Sequence, residues 1–302
     1  MLDRDALADL GVDAAMLAAR RALDGDAAIA FLAALPGLVR RWQARFGLSG
    51  AQILSGGALS ATFACTRAAD GRAVVLKLAA SPGPQARAEA AALAAWGGAG
   101  ACPLFAVGED GAALVLARIE PGTALTPSGD DAEDARSAAA LLALLHAPRQ
   151  APGAEIPPAA GWLDWRFARA RRWIAEGRAI AGVSDEELDA GAAAAARLDA
   201  GGSEALLHGD FLGKNILLDG AGRWWAIDPM PCRGDPCLDA GFWALHHRPG
   251  MGVQERCGLI ARAAGLDAQR VWAWARAFAA SEAAIDVAPG AAAGHLRTLR
   301  GR

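Results

Sequence analysis

Apolar positions follow two different patterns along this chain. Between residues 48 and 117, short apolar runs are separated by turns that contain glycine or aspartate, which is typical of strands joined by hairpins. Five of these runs predict strands: residues 52–54, 62–66, 73–78, 104–107 and 112–117. One alanine-rich segment, residues 85–96, predicts a helix among them. This region is therefore expected to form a small lobe with a mixed antiparallel sheet and one helix.

Helical spacing dominates the rest of the chain. The N-terminal segment is expected to be helical with an interruption at Pro36, because proline removes a backbone donor and clashes with the preceding turn. Further helices are expected at residues 137–146, 162–176, 185–198, 240–246, 253–264 and 271–285. The last dozen residues are rich in alanine and glycine and are expected to fray.

These patterns predict an α+β chain with two lobes. We place its parts as an N-terminal helical extension (1–47), a small sheet lobe (48–117), a hinge (118–123) and a helical lobe (124–302).

One group of polar residues suggests the chemistry. Asp210 and Asn215 lie five positions apart in His-Gly-Asp-Phe-Leu-Gly-Lys-Asn, and Asp228 follows 18 positions after Asp210. Two apolar runs, residues 216–218 and 224–227, flank an Asp-Gly-Ala-Gly turn and predict a hairpin that brings the three side chains to neighbouring edges. Phosphoryl transfer from a nucleotide requires a carboxylate to orient a hydroxyl, and an amide and a carboxylate to hold magnesium. The group therefore predicts a kinase site. Residues 48–117 would then form a nucleotide-binding lobe, and the helical lobe 124–302 would carry the catalytic loop and the acceptor site.

Each of these residues has an ordinary explanation when it is taken alone. A lone aspartate usually caps a helix or forms a loop ion pair, and an asparagine or aspartate often ends a strand. Their combination and spacing favour the chemical interpretation. We predict that Asp210 orients or deprotonates the acceptor hydroxyl, and that Asn215 and Asp228 bind Mg²⁺ through oxygen atoms.

The small lobe contains candidates for nucleotide binding. Lys77 is the charged residue of the predicted strand 73–78, and Glu89 follows 12 positions later in the predicted helix. Such residues are usually exposed to solvent, but their order is that of the kinase lysine, which contacts the nucleotide phosphates, and its glutamate partner. Gly57 and Ser60 occupy the place of a phosphate-covering turn, although a glycine pair also suits any hairpin. We predict that these four residues bind ATP or GTP.

A family resemblance extends beyond single motifs. In the segment 207–243, His-Gly-Asp-Phe-Leu-Gly-Lys-Asn, Ala-Ile-Asp-Pro-Met-Pro-Cys and Arg-Gly-Asp-Pro-Cys-Leu-Asp-Ala-Gly-Phe resemble the aminoglycoside/hydroxyurea phosphotransferase family, which includes streptomycin 6-kinases. The resemblance is weaker, but in the same order, over most of the chain. It implies a protein-kinase-like two-lobed fold. The His-Arg-Asp of protein kinases is His-Gly-Asp here and Asp-Phe-Gly is Asp-Pro-Met, departures that look like the small-molecule kinase branch.

The resemblance also implies roles that no local pattern assigns. His208 would help to shape the catalytic loop, with a direct catalytic role as the alternative. Asp239 would accept hydrogen bonds from the backbone of that loop, with a helix cap as the alternative. In the hinge, the Arg118 carbonyl and the Glu120 amide would bind the adenine.

Composition excludes several other classes of protein. The net charge is −3 and no basic patch suggests nucleic acid. The uncharged stretch 90–108 contains four glycines and a proline, so it is expected to be broken structure rather than a membrane span. The N-terminus lacks the features of a signal peptide, and five scattered cysteines favour reduced thiols over disulfides or a metal site. We expect a cytoplasmic monomer without membrane contact, and a solvent-exposed pair at His246 and His247.

The acceptor is the least determined part of the prediction. The resemblance implies streptomycin, which we place ahead of hydroxyurea, and the alternatives are a kinase of a sugar or amino-alcohol metabolite and a nucleotide-binding module without turnover. A glycoside hydrolase with paired carboxylates would explain neither Asn215 nor Lys77. A guanidinium-bearing acceptor requires carboxylates around it, whereas Lys214 in the catalytic loop would repel it. The candidate carboxylates, which could equally be solvated helix faces, are Asp130, Asp131, Glu133, Asp134, Asp164, Glu282 and Asp286.

Overall fold

The computed structural model describes residues 2–55, 60–248, 250–286 and 288–301. Its first part contains α1 (Arg4–Asp9), α2 (Ala14–Phe46), β1 (Leu48–Ser55), β2 (Ser60–Arg67), β3 (Ala73–Ala79), α3 (Pro84–Trp96), β4 (Leu104–Val107) and β5 (Ala113–Ala117). The second part contains β6 (Pro121–Ala124), α4 (Asp131–Leu145), α5 (Ala159–Ala175), α6 (Asp185–Ala200), β7 (Ala205–Leu207), β8 (Ile216–Asp219), β9 (Trp224–Ala226), β10 (Cys232–Gly234), α7 (Cys237–His246), α8 (Val253–Ala264), α9 (Ala268–Ile285) and α10 (Pro289–Leu299). The predicted sheet lobe and helical lobe are confirmed.

The small lobe is built on one antiparallel sheet in the order β1-β2-β3-β5-β4. In the central strand β3, Val74, Leu76 and Leu78 point to one face and are buried in the cluster that also contains residues of α2. Because side chains alternate along a strand, Lys77 points to the opposite face. The five predicted strands and the predicted helix are confirmed, with boundaries shifted by a few residues.

The predicted interruption of the N-terminal helix at Pro36 is wrong. Helix α2 continues through this proline, from Ala14 to Phe46. A proline inside a helix costs about 3 kcal/mol. Burial of Leu35, Val39 and Trp42 against the sheet offsets that cost, because each large apolar side chain contributes roughly 1.5–3 kcal/mol when it is buried.

The segment after α3 joins the small lobe to the helical lobe. At the end of α3, Trp96 Nε1 donates a hydrogen bond to the Leu145 carbonyl oxygen at 2.7 Å. The Ala226 N–H donates to the Gly100 carbonyl at 2.7 Å, and the Cys102 N–H donates to the Ala226 carbonyl at 2.8 Å. The end of α3 is therefore bonded to α4, and the segment that follows it is bonded to β9.

Four of the six helices predicted in the second part, α4, α5, α7 and α9, begin earlier than the apolar spacing predicted, whereas α6 and α8 begin at the predicted residues. Helix α4 starts at Asp131 rather than Ser137, because the Asp130 carboxylate accepts hydrogen bonds from the backbone of Ala132 and Glu133, both at 3.0 Å. Such a cap satisfies donors that the first turn leaves unpaired. Polar residues in a first turn carry no apolar period, so periodicity misses them.

The prediction that the last dozen residues fray is wrong. Most of them belong to α10, in which Ala292 and His295 are buried against the rest of the lobe. Arg248 Nη1 donates to the Ala291 carbonyl at 2.7 Å and fixes this helix to the end of α7. Tertiary packing therefore orders a segment whose composition alone suggested a loose end.

The predicted hairpin of the second part is confirmed. Strands β8 and β9 are antiparallel neighbours, and β6 extends them to a three-stranded sheet, while β7 pairs with β10. The loop between β7 and β8 and the end of β9 therefore lie at one edge. In the part of the chain that the structure describes, no helix combines the length and apolar character needed to cross a bilayer. The boundaries at residues 47, 117 and 123 remain our proposal for dividing the chain.

Candidate active site

Asp210 is held in the loop 208–215 by its asparagine neighbour. Asn215 Nδ2 donates to Asp210 Oδ2 and to the Asp210 carbonyl oxygen, both at 2.8 Å. Among the described residues, the other carboxylate oxygen, Oδ1, has no hydrogen-bond partner, and the Lys214 ammonium is 4.0 Å from Oδ2. Asp210 therefore presents one carboxylate oxygen in a fixed orientation.

Asp239 fixes the backbone at the start of this loop. Its buried carboxylate accepts hydrogen bonds from the N–H of His208 at 2.8 Å and of Gly209 at 2.9 Å. His146 Nε2 lies 3.2 Å from the same carboxylate. Burial alone would raise the pKa of Asp239, but His146, His208 and the backbone donors outweigh it and lower the pKa. The carboxylate is therefore charged and accepts all of these hydrogen bonds.

His208 links the loop to the strand that precedes Asp228. Its Nδ1 accepts a hydrogen bond from the Asp210 N–H at 3.3 Å, so its Nε2 is the donor to the Ile227 carbonyl at 3.1 Å. The ring stacks on Trp96 with 6.3 Å between centroids. Burial lowers the pKa of His208, which keeps the ring neutral in this tautomer.

Gly209 is required by the shape of the loop. Its φ of +74° is in the left-handed region, and a Cβ at this position would lie 2.0 Å from the Met230 carbonyl oxygen. No larger residue fits there without moving the backbone. The arginine of the protein-kinase His-Arg-Asp could therefore not occupy position 209 in this structure.

Lys77, Glu89 and Asp228 form a charged cluster across the cleft. Lys77 Nζ lies 2.5 Å from Glu89 Oε1 and 2.5 Å from Asp228 Oδ1. Lys77 is only 7% exposed, so it is not a solvent-facing strand residue. β3 supplies the lysine, α3 the glutamate and the end of β9 the aspartate. The small lobe and the helical lobe are thereby joined by ion pairs.

The protonation of this cluster follows from its burial and its charges. Burial alone would lower the pKa of Lys77, but Glu89 and Asp228 outweigh it and raise the pKa. Burial alone would raise the pKa of Asp228, but Lys77 outweighs burial and lowers this pKa. The Asp228 side chain is nevertheless 54% exposed in the cleft, whereas Glu89 is enclosed. Asp228 can therefore contact a ligand while it remains charged.

Asn215 and Asp228 offer oxygen atoms that suit a hard cation. The Asn215 side chain donates both of its hydrogen bonds to Asp210 through Nδ2. Its Oδ1 therefore has no partner among the described residues. Asp228 has a φ of +55°, which is uncommon for a residue other than glycine and places its carboxylate beside Lys77. Mg²⁺ takes oxygen ligands, usually keeps several waters and is often bound by one or two side chains. The residues present therefore fit Mg²⁺.

The predicted hinge residues lie at the edge of β5. Arg118 Nε is 3.2 Å from Glu120 Oε1, so their side chains pair with each other. In the described part of the chain, the Arg118 carbonyl and the Glu120 N–H make no backbone hydrogen bond, while the Glu120 carbonyl accepts one from Gly220 at 2.8 Å. Two backbone groups of the hinge are therefore available to a ligand.

Of the two predicted turn residues, Ser60 begins β2 and lies opposite Ala79 of β3. Gly57 lies outside the described residues. The contact of this turn with a nucleotide therefore stays a prediction.

The family of the chain follows from comparison with known proteins. Residues 50–290 match a family model described as aminoglycoside/hydroxyurea antibiotic resistance kinase. The chain belongs to this family. The kinase is 29% identical over 262 residues to streptomycin 6-kinase of Streptomyces griseus, covering 83% of this chain and 82% of that protein. It is 32% identical over 202 residues to hydroxyurea phosphotransferase of Kitasatospora aureofaciens, covering 62% of this chain and 54% of that protein.

A solved structure shows the same fold. Choline kinase LicA from Streptococcus pneumoniae superimposes with a TM-score of 0.65 at 13% sequence identity, covering 88% of this chain and 98% of that chain. The predicted protein-kinase-like fold is confirmed, as are the predicted family and the class of small-molecule kinase.

The predicted exposure of His246 and His247 is wrong. His247 is buried, and its Nε2 lies 2.8 Å from Asp134 Oδ2. His246 Nε2 lies 3.0 Å from Glu282 Oε2. Their carboxylate partners come from α4 and α9, which are distant in the sequence, so no local pattern at the end of α7 predicts these contacts.

Most of the acidic residues proposed for a cationic acceptor are already engaged. Asp134 and Glu282 are buried in hydrogen bonds with histidine or arginine, and Asp130 caps α4. Asp131 accepts from the Met251 N–H at 2.7 Å, and Glu133 pairs with its neighbour Arg136. Asp286 bonds the Ala288 N–H at 2.9 Å and lies 3.3 Å from His295. Asp164 is exposed on α5.

Sequence reasoning missed two groups of residues near Asp210. One is His146, at the end of α4, which contacts Asp239. The other is the α5 face that carries Trp162, Arg166 and Arg169, in a segment that the sequence predicted only as a helix. The regular spacing of arginine and tryptophan was visible, but nothing in it indicated that this face lies beside the loop 208–215.

Proposed function

We propose that the kinase transfers the γ-phosphoryl group of ATP to a hydroxyl of a small molecule, with Asp210 as the residue that binds this hydroxyl. The observation that carries the proposal is the fixed carboxylate of Asp210, held by Asn215 on the same edge that carries Asp228 and Lys77. Phosphoryl transfer depends mainly on positioning and charge stabilisation, and these residues provide both.

Asp210 acts on the acceptor. Its Oδ1 accepts a hydrogen bond from the hydroxyl, whose oxygen attacks the γ-phosphorus as the bond to the β–γ bridging oxygen breaks. The hydroxyl proton passes to the Asp210 carboxylate and ADP leaves. An ordinary carboxylate is sufficient, because little proton transfer is needed before the bond to the leaving group is largely broken.

The phosphates are held from both sides of the cleft. Asn215 and Asp228 would hold Mg²⁺, which would neutralise phosphate charge. Lys77, kept charged by Glu89, contacts the α- and β-phosphates. Because the Asp228 side chain is exposed, it is accessible to a metal ion, while Glu89 also pairs with the lysine.

The hinge favours adenine over guanine. The Arg118 carbonyl, which has no backbone partner among the described residues, would accept from the adenine amino group, and the Glu120 N–H would donate to a ring nitrogen. Guanine would present a carbonyl oxygen to the Arg118 carbonyl. We therefore propose ATP rather than GTP as the phosphoryl donor.

Streptomycin and hydroxyurea, named for the relatives, are the first acceptors to test. Transfer should be followed with radiolabelled ATP, and the wild type should be compared with Asp228→Ala. We expect labelled product when the wild type is given a hydroxyl compound that it binds, and a much higher magnesium requirement in the variant because one oxygen ligand would be lost. An unchanged magnesium dependence would remove Asp228 from the metal site. Retained nucleotide binding without transfer to any hydroxyl compound would contradict the proposed function.

A further inference from the structure

Arg166 is a buried cation with unused donors. It is only 4% exposed, and its Nε donates to Glu282 Oε1 at 2.8 Å. Its two terminal nitrogens have no hydrogen-bond partner among the described residues, and neither nitrogen is fully enclosed. These nitrogens therefore reach solvent from inside the protein. A guanidinium rarely stays buried with unused donors unless a ligand or water takes them.

Arg169 lies one turn further along α5 and also lacks a carboxylate partner. No ion pair within 4.0 Å joins it to any residue that the structure describes, and its guanidinium lies 5.8 Å from the Trp165 ring and 5.5 Å from the Trp173 ring. Burial, together with Arg166 and Arg172, lowers its pKa, while Glu282 and Asp210 counteract part of that effect. Residues three positions apart share one helix face, so Arg166 and Arg169 project side by side.

This helix face adjoins the loop that carries Asp210. The Arg166 guanidinium lies 5.0 Å from the Trp162 ring. Trp162 Nε1 in turn lies 3.3 Å from the position that a Cβ of Gly209 would occupy. These contacts lead from Arg166 through Trp162 to Gly209, the residue preceding Asp210.

The nearby carboxylate is not available to a cationic acceptor. Glu282 Oε1 accepts from Arg166, and its Oε2 lies 3.0 Å from His246 Nε2. Burial alone would raise the pKa of Glu282, but Arg166 and His246 outweigh it and lower the pKa strongly. This carboxylate is therefore charged but fully committed. Two arginine charges, those of Arg166 and Arg169, therefore lie near the single negative charge of Glu282.

We propose that the acceptor of this kinase carries a carboxylate, which Arg166 and Arg169 bind while Asp210 holds the hydroxyl to be phosphorylated. The proposal rests on the proposed function and specifies its acceptor class. Two guanidinium groups form charge-assisted hydrogen bonds with a carboxylate, and the tryptophans beside them cover the apolar part of the molecule. A polycation such as streptomycin would place its guanidinium groups against like charge, which is unfavourable.

The test uses three molecules of the same shape and different charge: D-glucuronate, D-glucose and D-glucosamine. Each is titrated by calorimetry into the kinase saturated with Mg²⁺ and AMP-PNP, so that the nucleotide site is already filled. We expect glucuronate to bind at least about tenfold more tightly than glucosamine, since a charge-assisted hydrogen bond contributes roughly 1.5–3 kcal/mol. Equal binding of the three, or no heat from glucuronate up to about 50 mM, would overturn the proposal.

Arg169→Gln identifies the site, and Arg172→Gln is the matched control. Arg172 is on the same helix but is 66% exposed beside Glu176. We expect Arg169→Gln to weaken glucuronate binding about tenfold and leave glucose binding unchanged, whereas Arg172→Gln changes neither. Equal losses in both variants, or none, would contradict the assignment. Arg166 is not varied alone, because its removal would leave Glu282 buried without its main partner.

Transfer assays separate this proposal from the proposed function. The wild type and Arg169→Gln are compared with streptomycin, hydroxyurea and the three sugars as acceptors. Brisk phosphorylation of streptomycin at an equal rate in both proteins would overturn the carboxylate site and leave the kinase activity established. Transfer to glucuronate that Arg169→Gln reduces through a higher KM, with kcat retained, would support it. AMP-PNP binding, measured separately, reports on the nucleotide site alone.

Discussion

The two sides of the cleft differ in how their charges are balanced. On the nucleotide side, Lys77 lies between Glu89 and Asp228, so its charge is matched before any ligand arrives. On the acceptor side, Arg166 uses one of its nitrogens and Arg169 has no carboxylate partner within the described residues. The nucleotide side can thus hold its shape by itself, whereas the acceptor side is completed by the charge of its ligand.

The largest effect is expected at Asp210, which lies between the two sides. Asp210→Asn should lower phosphoryl transfer by a factor on the order of 10² or more, because the hydroxyl loses its carboxylate partner. Binding of Mg²⁺ and AMP-PNP should stay close to wild type, since Asn215 and Asp228 are unchanged. Steady-state kinetics with an identified acceptor and calorimetry with AMP-PNP measure the two effects. A variant that keeps more than half of the activity would show that Asp210 is not the catalytic residue.

Glu282→Ala tests whether the acceptor-side carboxylate is structural. Removing it leaves buried Arg166 without its ion-pair partner, so the free energy of unfolding should fall by about 3–5 kcal/mol. Urea denaturation measures this loss, and Glu282→Gln, which keeps an acceptor for Arg166, should lose less. If stability is retained and only acceptor binding weakens, Glu282 is a ligand for the acceptor. The acceptor side would then not carry the excess of positive charge that distinguishes it from the nucleotide side.

Lys77→Ala tests the nucleotide side. Transfer should fall roughly tenfold to a hundredfold, because a preorganised cation at the phosphates is lost. Burial already raises the pKa of Glu89, so this carboxyl can take up a proton when the lysine is gone, which limits the loss of stability to about 1–2 kcal/mol. Lys77→Met keeps most of the apolar stem and should be as inactive but more stable. Normal kinetics with a large loss of stability would make Lys77 a structural residue only.

The smallest effect is a pH dependence on the acceptor side. Burial, the nearby His246 and Arg248, whose Nη2 is 2.6 Å from Nδ1, together lower the pKa of His295 from 6.5 to about 2. Asp286 is 3.3 Å from its Nε2. Since the folded pKa is below the unfolded one, the stabilisation is complete above pH 6.5 and is lost as the pH falls. The slope from one histidine is at most about 1.4 kcal/mol per pH unit.

Urea unfolding at pH 7 and at pH 5.5 measures this dependence. His295→Gln should make the difference between the two pH values smaller by about 1 kcal/mol, while the buried His208 keeps its own contribution in the same direction. An unchanged difference would mean that His295 is protonated or exposed in the folded protein.

The parts of the site that follow one another along the chain were predictable. Asp210 and Asn215 precede a hairpin and Asp228 follows it. The two apolar runs and the glycine turn of this hairpin are visible in the sequence, so the proximity of the three residues was predicted from short-range patterns. The strands were predicted for the same reason. Helix starts were less accurate because caps such as Asp130 carry no apolar period.

Contacts between distant segments were not predictable in the same way. His146 meets Asp239 across 93 positions, and Arg166 meets Glu282 across 116. No local pattern couples such pairs, and each partner alone resembles an ordinary surface residue. At Pro36 a local pattern gave a wrong prediction. Proline usually interrupts a helix, but burial of α2 on the sheet keeps this helix continuous.

The bonds at the end of α3 have a mechanical consequence. Trp96, Gly100 and Cys102 fix this end to the helical lobe, and Glu89 lies two turns away on the same rigid helix. In kinases that are switched on and off, the helix carrying this glutamate swings and breaks the pair with the lysine. Here such a swing would have to break the bonds to Leu145 and Ala226 at the same time. We therefore expect an enzyme that is permanently assembled, whose output follows the supply of its substrates.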